Sequence, residues 1–294
     1  MTAEVFPASG IVERSAAAFA ASVPTQPADD GYFGPGSVTW RLNEDISGPV
    51  AGLRSLLMQA LHPLAMAGVD QHSDWRADPA GRLASTSAYL VAITYGDRAT
   101  ADRAAQRVRK IHERVHGTDP VTGRPYAAND PDLLLWVHAA LVDSVLAAAG
   151  HYGTPVSAAD KDRYVSEMTA AAELAGIPAG RAPASVAELG AYFTAVRPEL
   201  TLSSVVAEST AALLDTFAAD PDFADFWRLL ADAAHASMPR WVLDIYGYTG
   251  EPRADRDEVR QVLGVLDALY LGEPGVLEAR QRIELRMRRA AAGQ

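Results

Sequence analysis

Cysteine is absent from this chain of 294 residues. Its absence excludes disulfides, thiolate nucleophiles, cysteine-based zinc sites, iron–sulfur clusters and haem ligated by a thiolate. Without a Cys-x-x-Cys-His motif, any haem would also have to be held non-covalently. A metal ion could therefore be bound only by His, Asp, Glu or Tyr side chains.

Lysine is scarce as well, and acidic residues outnumber basic ones. The chain contains two lysines, Lys110 and Lys161, and its formal net charge is −11 at pH 7. Neither phosphate backbones nor anionic lipids would be attracted to such a protein overall. The charge therefore argues against broad nucleic-acid binding and against binding to acidic membranes.

Long hydrophobic runs are also missing. The longest run, 133–149, includes His138 and Asp143, so it is too short and too polar for a membrane span. The N-terminal region contains Glu4 and Glu13 and no basic stretch followed by an apolar one, which does not match a secretory signal. We expect a cytoplasmic protein without a membrane span.

No segment shows the alternating pattern of a strand, whereas signals for helices recur. Asp-Pro pairs at 78–79, 130–131 and 220–221 each place an N-cap acid before a first-turn proline. Glycines that end apolar-periodic segments are Gly96, Gly117, Gly150 and Gly176. The predicted helices are 9–21, 49–60, 63–70, 79–95, 98–116, 131–149, 157–175, 185–195, 203–217, 221–236, 255–271 and 273–290.

Proline, glycine and aspartate are concentrated in 22–48, which we predict to be extended, and 118–129 is predicted to be a loop. No repeat or low-complexity linker divides the rest of the chain. The sequence therefore predicts an extended N-terminal lead-in over 1–48. A single all-α domain, a helical bundle, follows over 49–294.

Positions 112–116 read HERVH, a literal H-E-x-x-H. On one helix this spacing offers zinc two imidazoles and a carboxylate base. A catalytic zinc also needs a third protein ligand. However, Gly117 begins a helix stop, and the next predicted helix, 131–149, contains no glutamate. A zinc metallopeptidase is therefore the weaker interpretation.

Helical geometry separates the two histidines of this motif. Val108, Ile111 and Val115 define an apolar face at 100° per residue. His112 falls on the edge of that face and His116 on its flank. His112 is therefore the histidine that we expect to be buried.

Arg82 and Thr86 lie on one stripe of the predicted helix 79–95, beside apolar neighbours. An arginine next to a core-facing stripe needs an anionic partner, which could be an internal carboxylate, a propionate or a phosphate. His138 lies in the apolar helix 131–149, and His72 lies at a helix end. A buried bundle with a core-edge histidine and an inward Arg/Thr pair meets the main demands of a globin-like haem site.

Five strings of this sequence resemble the family of the fungal oxygenase MpaB and the catalytic domain of rubber oxygenase, the latex-clearing protein. They are GYFGPGSVTWRL (31–42), LLMQALHPLAMAGVDQHS (56–73), RLASTSAYLVAITYG (82–96), RVRKIHERVHG (107–117) and PDLLLWVHAALVDS (131–144). They occur in the order in which the family has them. The resemblance implies a globin-like helical core with b-type haem, one axial histidine, and oxygen chemistry.

The R-x-x-x-T element of the family falls on Arg82 and Thr86, and Ser85 stands where the rubber enzymes carry lysine. The axial histidine of the family falls in the helix with His112 and His116. The number of residues after Thr86 does not decide which of the two corresponds to the axial histidine of the family. The helical geometry favours His112. The acidic residue that assists catalysis in the rubber enzymes has no clear counterpart here.

We therefore expect a haem b-dependent oxygenase that hydroxylates or cleaves a small organic substrate with O₂, with an external electron donor if it hydroxylates. The alternatives are a non-catalytic haem or small-ligand binding protein and a zinc metallopeptidase using HERVH. The expected catalytic residues are Arg82 and Thr86, the haem-binding residues are His112, Arg82, His138 and His72, and the iron ligand is His112, or alternatively His116.

Overall fold

The computed structural model describes residues 8–218 and 224–292. Helices make up most of these residues, and a two-stranded sheet is the only sheet among them, so the all-α prediction is confirmed. The helices are α1 (Ala8–Ser22), α2 (Val38–Asn43), α3 (Gly48–Ala60), α4 (Pro63–His72), α5 (Pro79–Tyr95), α6 (Arg98–His112), α7 (Pro131–Tyr152), α8 (Ala158–Glu167), α9 (Thr169–Ala175), α10 (Val186–Val196), α11 (Ser204–Ala218), α12 (Ala224–Ala236), α13 (Arg240–Ile245), α14 (Arg256–Gly272) and α15 (Val276–Ala291). The helix start predicted at 220–221 lies outside the described residues.

Helix α7 runs through the core and packs chiefly against α3. Trp136 is fully buried, and its indole N–H donates to the Gln59 carbonyl at 3.0 Å. The predicted stop at Gly150 is wrong, since α7 continues to Tyr152 and ends at Gly153. A helix supported by core contacts on most sides tolerates one interior glycine, whose cost is about 1 kcal/mol.

Helix α7 is also long and apolar enough to cross a membrane, but 67% of its apolar segment is buried inside the protein. Core helices of soluble proteins meet the same criterion, so this is weak evidence for a span. The expected absence of a span and the expected cytoplasmic location stay predictions.

The prediction that 22–48 is extended is wrong at α2. Ser37 caps this helix by accepting the Trp40 N–H, and Trp40 and Leu42 are buried. The Trp40 ring meets the Tyr95 ring edge-on, with 5.0 Å between the ring centroids. Helix α1 packs against α5 and α15. Tertiary packing therefore stabilises α2, a six-residue helix that has little stability alone.

The prediction of a helix over 98–116 is wrong at its end, because α6 stops at His112. The chain then enters an antiparallel hairpin of β1 (His116–Thr118) and β2 (Pro125–Ala127), part of which was predicted to be a loop. A Cβ at Gly117 would lie 2.7 Å from the Tyr126 hydroxyl. The close packing of this ring thus requires glycine at 117.

An ion pair that the sequence did not predict links the central helices. Arg54 on α3 is 2% exposed, and its guanidinium donates to Asp143 at 2.6 Å and to Ser144 at 2.8 Å, both on α7. It also donates to the Ser237 carbonyl at 3.1 Å. Asp143 therefore serves as the partner of a buried cation.

Candidate functional site

Helix α5 has the predicted bounds because its start is locally encoded. Asp78 accepts the Gly81 N–H, and Pro79 occupies the first turn. Arg82 on this helix is exposed, yet desolvation by the surrounding protein lowers its pKa. Both observations fit a side chain on the wall of a concave surface, which protein encloses but water still reaches. The described residues include no carboxylate paired with Arg82.

Thr86 lies one turn after Arg82 and is also exposed. Its hydroxyl donates to the Arg82 carbonyl at 3.1 Å. Because that bond uses its proton, the hydroxyl offers only acceptor lone pairs to a ligand. The expected Arg/Thr pair is present, but neither side chain is buried in the core.

The buried face of α6 differs from the expected one. Ala101 and Ala105 are fully buried, whereas Ile111 is 52% exposed, so Ile111 does not belong to the apolar face. At 100° per residue, His112 lies between the directions of Ala101 and Ala105. Ala101 and Ala105 define the buried face of α6, and His112 therefore lies at the centre of that face.

Helices α5 and α6 pack against one another and are joined by the short connection at 96–97. This arrangement brings Arg82 near His112, the last residue of α6. Burial, and secondly the positive charge of Arg82, lowers the pKa of the His112 imidazole. Nδ1 of His112 is buried and has no hydrogen-bond partner. The ring is therefore kept neutral with one nitrogen unsatisfied.

A cleft of about 200 Å³ opens beside His112, where α6 meets the start of α7 and the end of α9. Its lining includes Arg109, Glu113, Leu134 and Gly176. The guanidinium of Arg109 donates to the Leu174 carbonyl at 2.6 Å. Sequence reasoning missed Arg109, although it lies three residues before His112 and hence on the neighbouring turn.

A family model described as ER-bound oxygenase mpaB/B'/Rubber oxygenase, catalytic domain, matches residues 40–268. The chain belongs to the MpaB/rubber oxygenase family. Its function is accordingly of the oxygenase type, and the protein is therefore an enzyme. The partners of such a reaction are a substrate and O₂. No curated protein and no solved structure matches the chain in the other two comparisons.

In this MpaB/rubber oxygenase domain, His116 is separated from His112 by the end of α6. His116 is exposed on β1 and pairs in register with Ala127. The H-E-x-x-H residues therefore do not lie together on one helix. Residues 8–218 and 224–292 contain no group of three or more His, Asp or Glu side chains placed to hold a metal ion.

His138 is 8% exposed on α7, and burial lowers its pKa to about 4. It follows Leu134, a residue of the cleft wall, by four positions and so lies on the same face of the helix. Within the described chain, no hydrogen bond to the His138 ring is observed. His138 is thus a neutral buried imidazole one turn deeper along α7.

His72 was expected to bind haem, and that role stays a prediction. It is exposed at the end of α4, and its ring meets the Tyr126 ring edge-on at 6.2 Å between centroids. That contact places His72 against the β1–β2 hairpin. In the described residues, no hydrogen bond, ion pair or ring contact joins His72 to Arg82 or His112.

Proposed function

We propose that this domain is a haem b-dependent oxygenase of a small organic substrate and that His112 is the axial ligand of the iron. One observation carries the proposal in this member of an oxygenase family. The neutral ring of His112, whose Nδ1 has no hydrogen-bond partner, lies near Arg82, a cation without a carboxylate partner. Iron in haem binds a neutral imidazole, and the carboxylates of haem favour nearby cations.

The donor set fits iron porphyrin. Burial keeps His112 in the neutral form that binds a metal without competition from a proton. Arg82 has no carboxylate partner among the described residues, so a propionate would complete its pairing. The cleft beside His112, at about 200 Å³, is smaller than the roughly 300–1,000 Å³ of common ligand pockets. The chemistry of the donor set, rather than the volume of the cleft, therefore supports haem.

Each side chain has a separate role in this proposal. His112 would hold the metal, and Arg82 would balance a negative group of the haem. Thr86 offers a hydroxyl oxygen as an acceptor, because its proton is bound to the helix backbone. When bound, haem iron supplies the activation of O₂, with electrons from an external donor if the substrate is hydroxylated.

An absorption spectrum tests the axial ligand. The protein is produced with ample haem precursor and compared with His112→Ala and His116→Ala, the second variant serving as the matched control. We expect an intense Soret band in the wild type and in His116→Ala, and its loss in His112→Ala. A band that is lost only in His116→Ala would move the ligand to that residue, and a colourless wild type would refute the haem proposal.

A non-catalytic haem or small-ligand binding protein is the second candidate, and the cleft of about 200 Å³ favours a ligand smaller than haem. Consumption of O₂ by the haem-loaded protein with a chemical reductant and candidate substrates separates the two. Substrate-dependent consumption above that of His112→Ala supports the oxygenase. Haem binding without any such turnover supports the binding protein.

A further inference from the structure

The hydroxyl of Tyr89 has no role in the site described so far. Tyr89 lies on α5, on the same face as Arg82 and Thr86. Its oxygen is buried and has no hydrogen-bond partner. A buried hydroxyl without a partner carries a desolvation cost of about 1–3 kcal/mol, so a native protein that retains one can use it to bind a ligand.

The guanidinium of Arg109 is a hydrogen-bond donor group near this hydroxyl. Burial raises the pKa of Tyr89 to about 12, so the phenol keeps its proton, and the positive charge of Arg109 opposes this rise. Arg109 therefore lies close enough to act on the Tyr89 oxygen. Side chains on a helix lean towards its N-terminus, which directs the Tyr89 ring along α5 towards the level of Thr86 and Arg82.

One cation, Arg109, lies near the phenol without a paired carboxylate. In the described part of the chain, neither Arg82 nor Arg109 forms a salt bridge within 4.0 Å. Carboxylates do occur nearby. Glu113 lines the cleft beside His112, and Asp102 and Glu173 line a second cleft with Arg109. Asp102 already accepts the Tyr32 hydroxyl at 2.6 Å.

We propose that Tyr89, together with Arg109, forms a binding site for a carboxylate. A carboxylate is negative and only accepts hydrogen bonds, whereas the phenol O–H and the guanidinium of Arg109 can donate to it. Such a ligand would satisfy the orphaned hydroxyl and balance the unpaired charge. The carboxylate comes either from a porphyrin propionate, in which case the inference rests on the proposed function, or from an acidic organic substrate.

Tyr89→Phe tests the site because it removes one oxygen and keeps the ring. Tyr95→Phe is the matched control: Tyr95 is buried on the same helix, but its hydroxyl already donates to the Trp40 carbonyl at 3.3 Å. The melting temperature of Tyr89→Phe should equal or exceed that of the wild type, since no bond is lost. That result shows that the variant folds.

Two binding titrations distinguish the sources of the carboxylate. The first compares iron protoporphyrin IX with its dimethyl ester, and the second compares benzoate with benzyl alcohol on the protein as purified. Tyr89→Phe should weaken binding of either protoporphyrin or benzoate roughly 10- to 100-fold, the range for a hydrogen bond to a charged group. Binding of the uncharged counterpart, and all binding by Tyr95→Phe, should stay unchanged.

A loss confined to protoporphyrin assigns the site to a propionate, and a loss confined to benzoate assigns it to a substrate. Unchanged affinity for both in Tyr89→Phe overturns the proposal. If the wild type binds no porphyrin, the proposed function fails, and the benzoate titration alone then decides the carboxylate site.

Discussion

Histidine side chains that look equivalent in the sequence lie in different surroundings in the fold. His112 and His138 are enclosed by protein, and burial lowers the pKa of both rings. His72 and His116 are exposed to solvent. An enclosed neutral imidazole can ligate a metal without first losing a proton. The choice between the two histidines of HERVH thus rests on burial.

The lowered pKa of His138 predicts that the stability of the fold depends on pH. Its pKa is about 4 in the folded protein, against about 6.5 in an unfolded chain. Above about pH 6.5 the ring is neutral in both the folded and the unfolded state, so its contribution to the free energy of unfolding is fully present. As the pH falls towards 4, only the unfolded chain gains the proton, and the free energy of unfolding falls by roughly 3 kcal/mol.

Urea denaturation between about pH 7 and pH 4 measures this effect. His138→Gln, which cannot titrate, should reduce the slope of unfolding free energy against pH by that contribution. The exposed His116→Gln serves as the matched control variant. Equal slopes in the wild type and His138→Gln would contradict the prediction.

At the scale of elements, the ends of the helices follow from two kinds of contact. Helix α5 begins at a local signal, the Asp78 cap with Pro79 behind it. Helix α6 ends where the chain starts to pair with β2, whose residue Ala127 is opposite His116. Pairing with a remote strand therefore overrides the helical periodicity that continues to Val115.

The ion pair between α3 and α7 predicts a large cost for losing Arg54. Arg54→Met leaves Asp143 without its cation and removes the hydrogen bonds to Ser144 and to the Ser237 carbonyl. We expect the free energy of unfolding to fall by roughly 3 kcal/mol, at the lower end of the usual range because Asp143 is 29% exposed.

Chemical denaturation of single and double variants measures this pair. Adding Asp143→Leu to Arg54→Met should recover much of the loss, since no uncompensated charge then remains. The exposed pair of Arg288 and Glu284 is the control, and Arg288→Met should change stability by less than about 1 kcal/mol. A loss no larger than that in Arg54→Met would refute a structural role for the pair.

At the scale of the whole molecule, the site depends on how α5, α6, α7 and α9 pack together. A ligand held by residues from several helices stabilises the folded domain as a unit. We expect iron protoporphyrin IX at about a hundredfold excess over its Kd to add about 2.7 kcal/mol to the free energy of unfolding.

Thermal denaturation measures this gain as a higher melting temperature. The rise should occur in the wild type and in His116→Ala and be absent in His112→Ala. Zinc chloride should give no rise, because the described residues offer no cluster of three metal-binding side chains. A melting temperature that rises with zinc and not with haem would instead favour the metallopeptidase.

Much of the architecture could be predicted because its signals are local. The bounds of α5 were predicted correctly, and Gly176 ends α9 in the left-handed conformation that favours glycine. Helix α2 was missed because its stability comes from burial of Trp40 against Tyr95, 55 residues away. The family and the all-α class were both predicted and confirmed.

The sequence by itself determined most of the helices, the family and a short set of candidate histidines and cations. Only the tertiary structure decided that Ile111 is exposed, that Arg54 is paired with Asp143, and that the Tyr89 hydroxyl has no partner. The physical reason is range. Capping and periodicity act within a turn or two of helix, whereas burial, pairing and pKa depend on neighbours that are far away along the chain.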